Sequence, residues 1–311
     1  MKTAFVFPGQ GAQKVGMGRS LADAFPEAKA VFEAADEALG MRLSSLCFEG
    51  PEEELRLTEN TQPAILAASI AALRCLEARG ARADFVAGHS LGEYSALVAA
   101  GALRLEDALR IVRRRGQFMQ EAVPAGEGAM AALLGVDIET VEAVCREASE
   151  RGVCSAANIN SPNQVVIAGH KSAVEFAAAL AKQRGAKRAV MLAVSAPFHC
   201  ALMKPAAERL EPVLAETFFA DLQVPLITNV DAARITSGEE ARAALVRQMA
   251  SPVRWSESVK QLADQGVTRF IELGPGKVLS GMIKQMMLPE AQILNVEDAA
   301  SLEATAASVG F

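Results

Sequence analysis

Gly88-His89-Ser90-Leu91-Gly92 fits G-x-S-x-G, a spacing that lets a serine attack an acyl carbonyl. The two glycines permit a sharp strand-to-helix turn that pushes the Ser90 hydroxyl outward, and the helix N-terminus offers amide N–H groups at the same point. A turn in which Ser90 simply caps the helix remains the alternative on five residues alone. A serine hydroxyl needs a base within hydrogen-bond reach, and the chain has three histidines. His89 adjoins the serine, where an elbow sends neighbouring side chains in opposite directions, and is expected to pack beneath the turn. His170 is expected at the start of a helix as a surface or capping residue. By elimination His199 is the base, although a lone histidine is more often structural. The carboxylates between Ser90 and His199 read as helix-surface or turn residues. The expectation is therefore a Ser-His dyad whose imidazole is oriented by a carbonyl.

A second candidate is an arginine on the wrong side of a helix. From Leu105 the run LEDALRIVRRRGQFMQE carries four arginines. At about 100° per residue, its apolar side chains cover an arc from about 220° through zero to about 40°. Arg115 falls inside that arc near about 280°, whereas Arg110, Arg113 and Arg114 fall near about 140°, 80° and 180°. An inward guanidinium cannot shed its charge and needs an anionic partner. That partner is either an internal Asp or Glu or a substrate carboxylate gripped in bidentate fashion.

Positioning these groups requires a scaffold, and apolar runs ending in glycine turns recur: TAFVF before PGQG, DFVAG before HSLGE, and RFIEL before GPGKV. Strand, turn and helix in alternation predict a parallel sheet covered on both faces, with the three turns on one rim. VPLITNV and AQILNV add strands. Between them AMAALLGV, DIETVEAVCREASERG, VCSAANI, NQVVIAG, KSAVEFAAALAKQRG and KRAVMLAV give βαββαβ, the ferredoxin-like order. The expected organisation is a large domain of residues 1–126 and 196–311, an inserted small domain of 127–195, and a cleft between them.

Composition narrows the class. The chain has 311 residues, 51% hydrophobic and 22% charged, as in an ordinary compact protein. A net charge of -6 argues against nucleic-acid binding. No run approaches the roughly 20 apolar residues of a membrane span, and the N-terminus lacks a signal peptide's apolar core and cleavage site. The five cysteines are scattered without metal or redox spacing, so a cytoplasmic protein without a metal is expected. Gly274-Pro275-Gly276-Lys277 and Gly9-Gln10-Gly11 lack the remaining residues of a Walker loop and of a dinucleotide fingerprint.

Taken together, FPGQGAQ at 7–13, TENTQPA at 58–64, GHSLGEY at 88–94, RRGQFMQ at 114–120, GAMAALLG at 128–135, NSPNQVVIAG at 160–169, APFHCALM at 196–203 and ELGPGKVL at 272–279 resemble one family. It comprises the malonyl-CoA:acyl carrier protein transacylases of fatty acid synthesis and the related acyltransferase domains of polyketide synthases. The resemblance implies an α/β-hydrolase-like core with a ferredoxin-like insert. It implies Ser90 as acyl-enzyme nucleophile, His199 as general acid and base, and Arg115 as the clamp on the malonyl carboxylate. Backbone N–H groups of Gln10 and Leu91 would form the oxyanion hole, and the main-chain carbonyl of Gln248 would orient the histidine. Phe198, before the histidine, goes with malonyl rather than methylmalonyl.

The implied reaction is ping-pong transfer of malonyl from coenzyme A, a substrate and not a cofactor, to the pantetheine thiol of acyl carrier protein. A monomer is expected, with Lys187, Arg188, Lys204, Lys277 and Lys284 available to an acidic carrier. The rivals are a serine esterase or thioesterase on the same elbow and a non-catalytic subunit of a larger synthase.

Overall fold

The computed structural model describes residues 1–194 and 196–310. Ser195, the expected last residue of the insert, lies outside them. The chain opens with β1 (Lys2–Phe7), followed by α1 (Arg19–Ala24), α2 (Pro26–Leu39), α3 (Leu43–Glu49), α4 (Glu52–Leu55) and α5 (Thr58–Glu77). β2 (Phe85–Gly88), α6 (Gly92–Ala99) and α7 (Leu105–Glu121) come next. The middle runs β3 (Gly128–Leu134), α8 (Ile138–Ala148), β4 (Cys154–Ser161), β5 (Gln164–His170), α9 (Lys171–Gln183) and β6 (Arg188–Met191). The chain returns through α10 (Lys204–Ala215), β7 (Leu226–Ile227), β8 (Arg234–Ile235), α11 (Gly238–Gln248) and α12 (Trp255–Asp264). It ends with β9 (Val267–Leu273), α13 (Val278–Gln285), β10 (Gln292–Val296) and α14 (Ala299–Val309).

Five strands pair in parallel in the order β10-β9-β1-β2-β7, and β8 adds an antiparallel edge to β7. Every β1 residue after Lys2 is buried, as a strand covered on both faces must be. Its side chains alternate with period two. Phe5 and Phe7 join the cluster built with α2, α5, α6 and α7, while Ala4 and Val6 pack with Trp255, Val259, Phe270 and Ile283 on the other face. The expected strand in VPLITNV shrinks to Leu226–Ile227. Thr228 turns back by donating its N–H to Ala233, and Asn229 gives its N–H to a Glu93 carboxylate oxygen rather than to a strand.

The other strands form a separate antiparallel sheet in the order β4-β5-β3-β6, the ferredoxin-like arrangement predicted by the βαββαβ sequence. α8 and α9 cover one face with Val141, Val144, Val174 and Ala177. The strand expected through Val194 ends at Met191, beyond which Leu192 to Val194 line a cavity. β4 is tied to the large unit by reciprocal backbone bonds, Val253 N–H to Ala157 (2.8 Å) and Ile159 N–H to Val253 (2.9 Å). This seam fixes the small sheet above the rim of the large one.

Candidate active site

The elbow is closed to side chains at both glycines. A Cβ on Gly88 would lie 1.9 Å from the Gly92 backbone, and one on Gly92 would lie 2.0 Å from the Phe7 carbonyl oxygen. Between them Ser90 sits at φ 52°, the left-handed region that non-glycine residues seldom occupy. Hydrogen bonds hold it there: the Ser90 N–H donates to Asn229 Oδ1 at 2.6 Å, and Asn229 Nδ2 donates to the Gly88 carbonyl at 2.6 Å. The glycine turns meet on the rim as expected. Gly9 is packed against the His89 carbonyl, and Gly274 against Pro8.

His199 reaches this turn from the segment that follows the small sheet, itself at φ 59°. The Ser90 hydroxyl lies 2.6 Å from Nε2, and Nδ1 lies 2.9 Å from the Gln248 main-chain carbonyl at the end of α11. A carbonyl only accepts, so Nδ1 carries the proton and Nε2 is the bare nitrogen facing the serine. Burial, helped by the Arg115 charge, lowers the His199 pKa to about 3. A neutral imidazole at neutral pH is the form that can accept the serine proton. Phe198 is buried and lines the same cavity.

Arg115 is 1% exposed, while Arg110 and Arg114 are exposed and Arg113 is half-buried, matching the helical count. Its partners are neutral oxygens: Nη1 donates to Gln62 Oε1 at 2.9 Å, and Nη2 donates to Gln248 Oε1 at 2.9 Å and to Ser90 Oγ at 3.1 Å. The Tyr94 ring lies 5.5 Å away. None of the ion pairs among the described residues includes Arg115, and its Nε has no hydrogen-bond partner. A buried guanidinium with neutral partners and an unused donor is suited to an incoming carboxylate.

The cavity holds about 480 Å³, inside the roughly 300–1,000 Å³ range of small-molecule sites. Gln10, Gln62, Ser90, Leu91, Arg115 and His199 line it from the large unit, with Met130, Asn158 and Leu192 to Val194 opposite. Gln10 and Leu91 share the cavity lining with the serine. The Leu91 amide lies at the first turn of α6, where a helix leaves N–H groups without internal acceptors. The Gln10 side chain donates to Thr58 Oγ1 at 3.3 Å. Among the described residues no group of three or more His, Cys, Asp or Glu could hold a metal ion.

Three placements correct the sequence reading. Glu93, between Ser90 and His199 in sequence, is 0% exposed rather than on a helix surface, because α6 is buried on every side from Gly92 to Val98. His89 lines the cavity instead of only packing beneath the turn. Its Nε2 lies 2.9 Å from Asn160 Oδ1, and its ring meets Trp255 edge-on. His170 precedes α9 without capping it, and its Nδ1 accepts the Val153 N–H at 2.9 Å. Gln62, Asn229 and the Gln248 side chain were not anticipated. Glu93 had a legible signal, being the one charged residue in Gly92–Ala99.

A serine on a strand-to-helix elbow, a neutral imidazole at hydrogen-bond distance and helix-terminal N–H groups are the parts of acyl transfer through a serine ester. The chain belongs to the acyl transferase domain family, whose model matches residues 4–304. The malonyl CoA-acyl carrier protein transacylase of Bacillus subtilis (strain 168) is 54% identical over 286 residues, covering 92% of this chain and 90% of that protein. The solved malonyl CoA-acyl carrier protein transacylase from Coxiella burnetii superposes with a TM-score of 0.96 at 43% identity, covering 98% of this chain and 96% of that one. A malonyl-transacylase solved in complex with its type II polyketide acyl-carrier protein gives a TM-score of 0.96 at 48% identity, covering 99% and 100%.

Proposed function

We propose that this acyltransferase moves a malonyl group from malonyl-CoA to the phosphopantetheine thiol of an acyl carrier protein through a malonyl ester on Ser90. The observation that carries the reading is the buried Arg115 guanidinium, in no ion pair among the described residues and 3.1 Å from the Ser90 hydroxyl. A free carboxylate two carbons from the reacting carbonyl suits that placement.

In the first half-reaction Ser90 Oγ attacks the thioester carbonyl while its proton passes to His199 Nε2. The tetrahedral oxyanion is held by the backbone N–H groups of Gln10 and Leu91, each such donor contributing about 3 kcal/mol in the transition state. Collapse breaks the C–S bond, and His199 returns the proton to the departing thiolate. The carrier's thiol then gives its proton to His199, attacks the serine ester and leaves as the malonyl thioester, with Ser90 regaining its hydrogen. The Gln248 carbonyl keeps Nδ1 protonated throughout, so no third acid is required. Phe198 walls the acyl pocket and favours malonyl over bulkier methylmalonyl.

The residues invoked all come from one chain, which fits a monomer. Five buried free cysteines and no described helix long and apolar enough to cross a membrane fit a cytoplasmic setting. Lys187, Arg188, Lys204, Lys277 and Lys284 are exposed and available to an acidic carrier. The test is intact-protein mass after incubation with malonyl-CoA, then with carrier protein. Wild type is expected to gain one malonyl group and pass it on, and Ser90→Ala to gain none. Steady release of free malonate without transfer would make the protein a hydrolase instead.

A further inference from the structure

We propose that Glu93 is a positioning residue for acyl-group selection, acting through the side-chain amide of Gln248 on Arg115. The inference rests on the malonyl-transfer reading. A primary amide has one accepting end and one donating end. The Gln248 Oε1 accepts from Arg115 at 2.9 Å, while Nε2 donates to Glu93 Oε2 at 2.9 Å and to the Ser90 carbonyl at 3.0 Å. Turned over, the amide would set its NH₂ against a guanidinium and its oxygen against a carboxylate and a carbonyl. Glu93 Oε2 accepts from both the Gln248 Nε2 and the Asn229 N–H, so Glu93 holds the amide in the sense that serves Arg115.

Glu93 is itself fixed. Its Oε2 also accepts the Asn229 N–H at 3.0 Å, and it lies in the first turn of α6, where the helix dipole favours negative charge. Asn229 in turn accepts the Ser90 N–H, so one buried network spans the elbow, the carboxylate and the arginine.

The spacing matters as much as the contacts. A carboxylate bonded directly to Arg115 would occupy the donors that an acyl carboxylate needs. With the Gln248 amide interposed, Glu93 fixes the acceptor that Arg115 uses while the Arg115 Nε keeps no partner among the described residues. A merely structural Glu93, tying α6 to the segment after β7, would support every acyl group equally. A positioning Glu93 supports the one that carries a carboxylate.

The test compares Ser90 loading from malonyl-CoA and acetyl-CoA by intact mass in Glu93→Ala, Glu93→Gln, Gln248→Ala and the Glu93→Ala/Gln248→Ala double variant. Gln248→Ala keeps the main-chain carbonyl that faces His199. Glu93→Ala is expected to lower the malonyl-over-acetyl preference about tenfold, and the double variant no further than Gln248→Ala alone. Glu93→Gln, able to present either end of its own amide, should fall between wild type and Glu93→Ala. Equal losses for both acyl groups, or single effects that multiply in the double variant, overturn the proposal. Should Glu93→Ala not fold, Glu93→Gln decides, and an unchanged preference there overturns it. A wild type that forms no malonyl ester fails the malonyl-transfer reading instead, a result these variants cannot mimic.

Discussion

On the parallel-sheet side of the cavity Arg115, Gln248 and Glu93 are at most 1% exposed, and each is hydrogen-bonded to another member of one network. On the side supplied by the small sheet, Leu192 and Val194 are half-buried, Ala193 is exposed, and all three line the cavity with short apolar side chains. Polar groups out of water must satisfy one another, so the inner wall has one arrangement and little tolerance. On the outer wall only Asn158, among the residues named opposite the serine, carries a buried polar side chain. The inner wall can therefore select the acyl group, while the outer wall only has to admit the long thioester arm.

The sharpest way to break this division is Arg115→Ala. It is expected to lower malonyl loading about 10³-fold and to raise acetyl loading relative to it, since a site built to pair a charge rejects ligands that leave the charge unpaired. Loading time courses with the two thioesters measure it. A malonyl loss under about tenfold would mean that the inner wall does not select.

Gln62→Leu probes the same wall one contact further out. Gln62 Oε1 is the acceptor for Arg115 Nη1, and α5 buries the residue at 1% exposure. Leaving that donor unmet costs about 1–3 kcal/mol, so malonyl kcat/KM should fall about 5- to 150-fold with acetyl loading little changed. Equal losses for both substrates would place Gln62 in packing alone.

The inner wall should also show itself in stability. His199 has a folded pKa of about 3 against an ordinary 6.5, so between those values the unfolded chain binds a proton that the folded chain refuses. Its contribution is present above about pH 6.5 and is lost as pH falls toward 3, about 2 kcal/mol by pH 5. Glu93, raised by burial to about 7 from 4.5, works the opposite way, stabilising the fold as pH falls through that window. Urea titrations at pH 7 and pH 5 should therefore show a smaller loss of stability on acidification in His199→Gln than in wild type. Parallel losses in the two proteins would mean that the imidazole is not held neutral.

Both sheets were legible because each depends on local pattern: the unbroken apolar run of β1, glycine turns after β1, β2 and β9, and the βαββαβ order of the insert. Arg115 was legible because a helix makes the direction of a side chain countable. Asn229 was not, since it lies 139 residues from the serine amide it accepts from, just past a strand that ends where the Asn229 N–H turns to Glu93. Glu93 was misread because a carboxylate next to a helix start is usually solvated, and only the packing of α6 on every side buries it. Polar networks assembled from distant segments leave no periodicity behind, which is why the inner wall was read less completely than the sheets that carry it.

The outer wall gives the smallest effect. Leu192 continues from β6, its N–H bonded to the Met130 carbonyl at 2.9 Å, and its side chain is half-buried against the core. Leu192→Ala removes apolar surface that water already partly reaches and leaves the backbone bond intact. The expected change is under about threefold in malonyl kcat/KM, the same for acetyl, with stability lowered by less than about 1 kcal/mol. A change in the malonyl-over-acetyl ratio as large as that from Gln62→Leu would show that the small sheet takes part in selection, and the two walls would then be one site rather than a lock and its entrance.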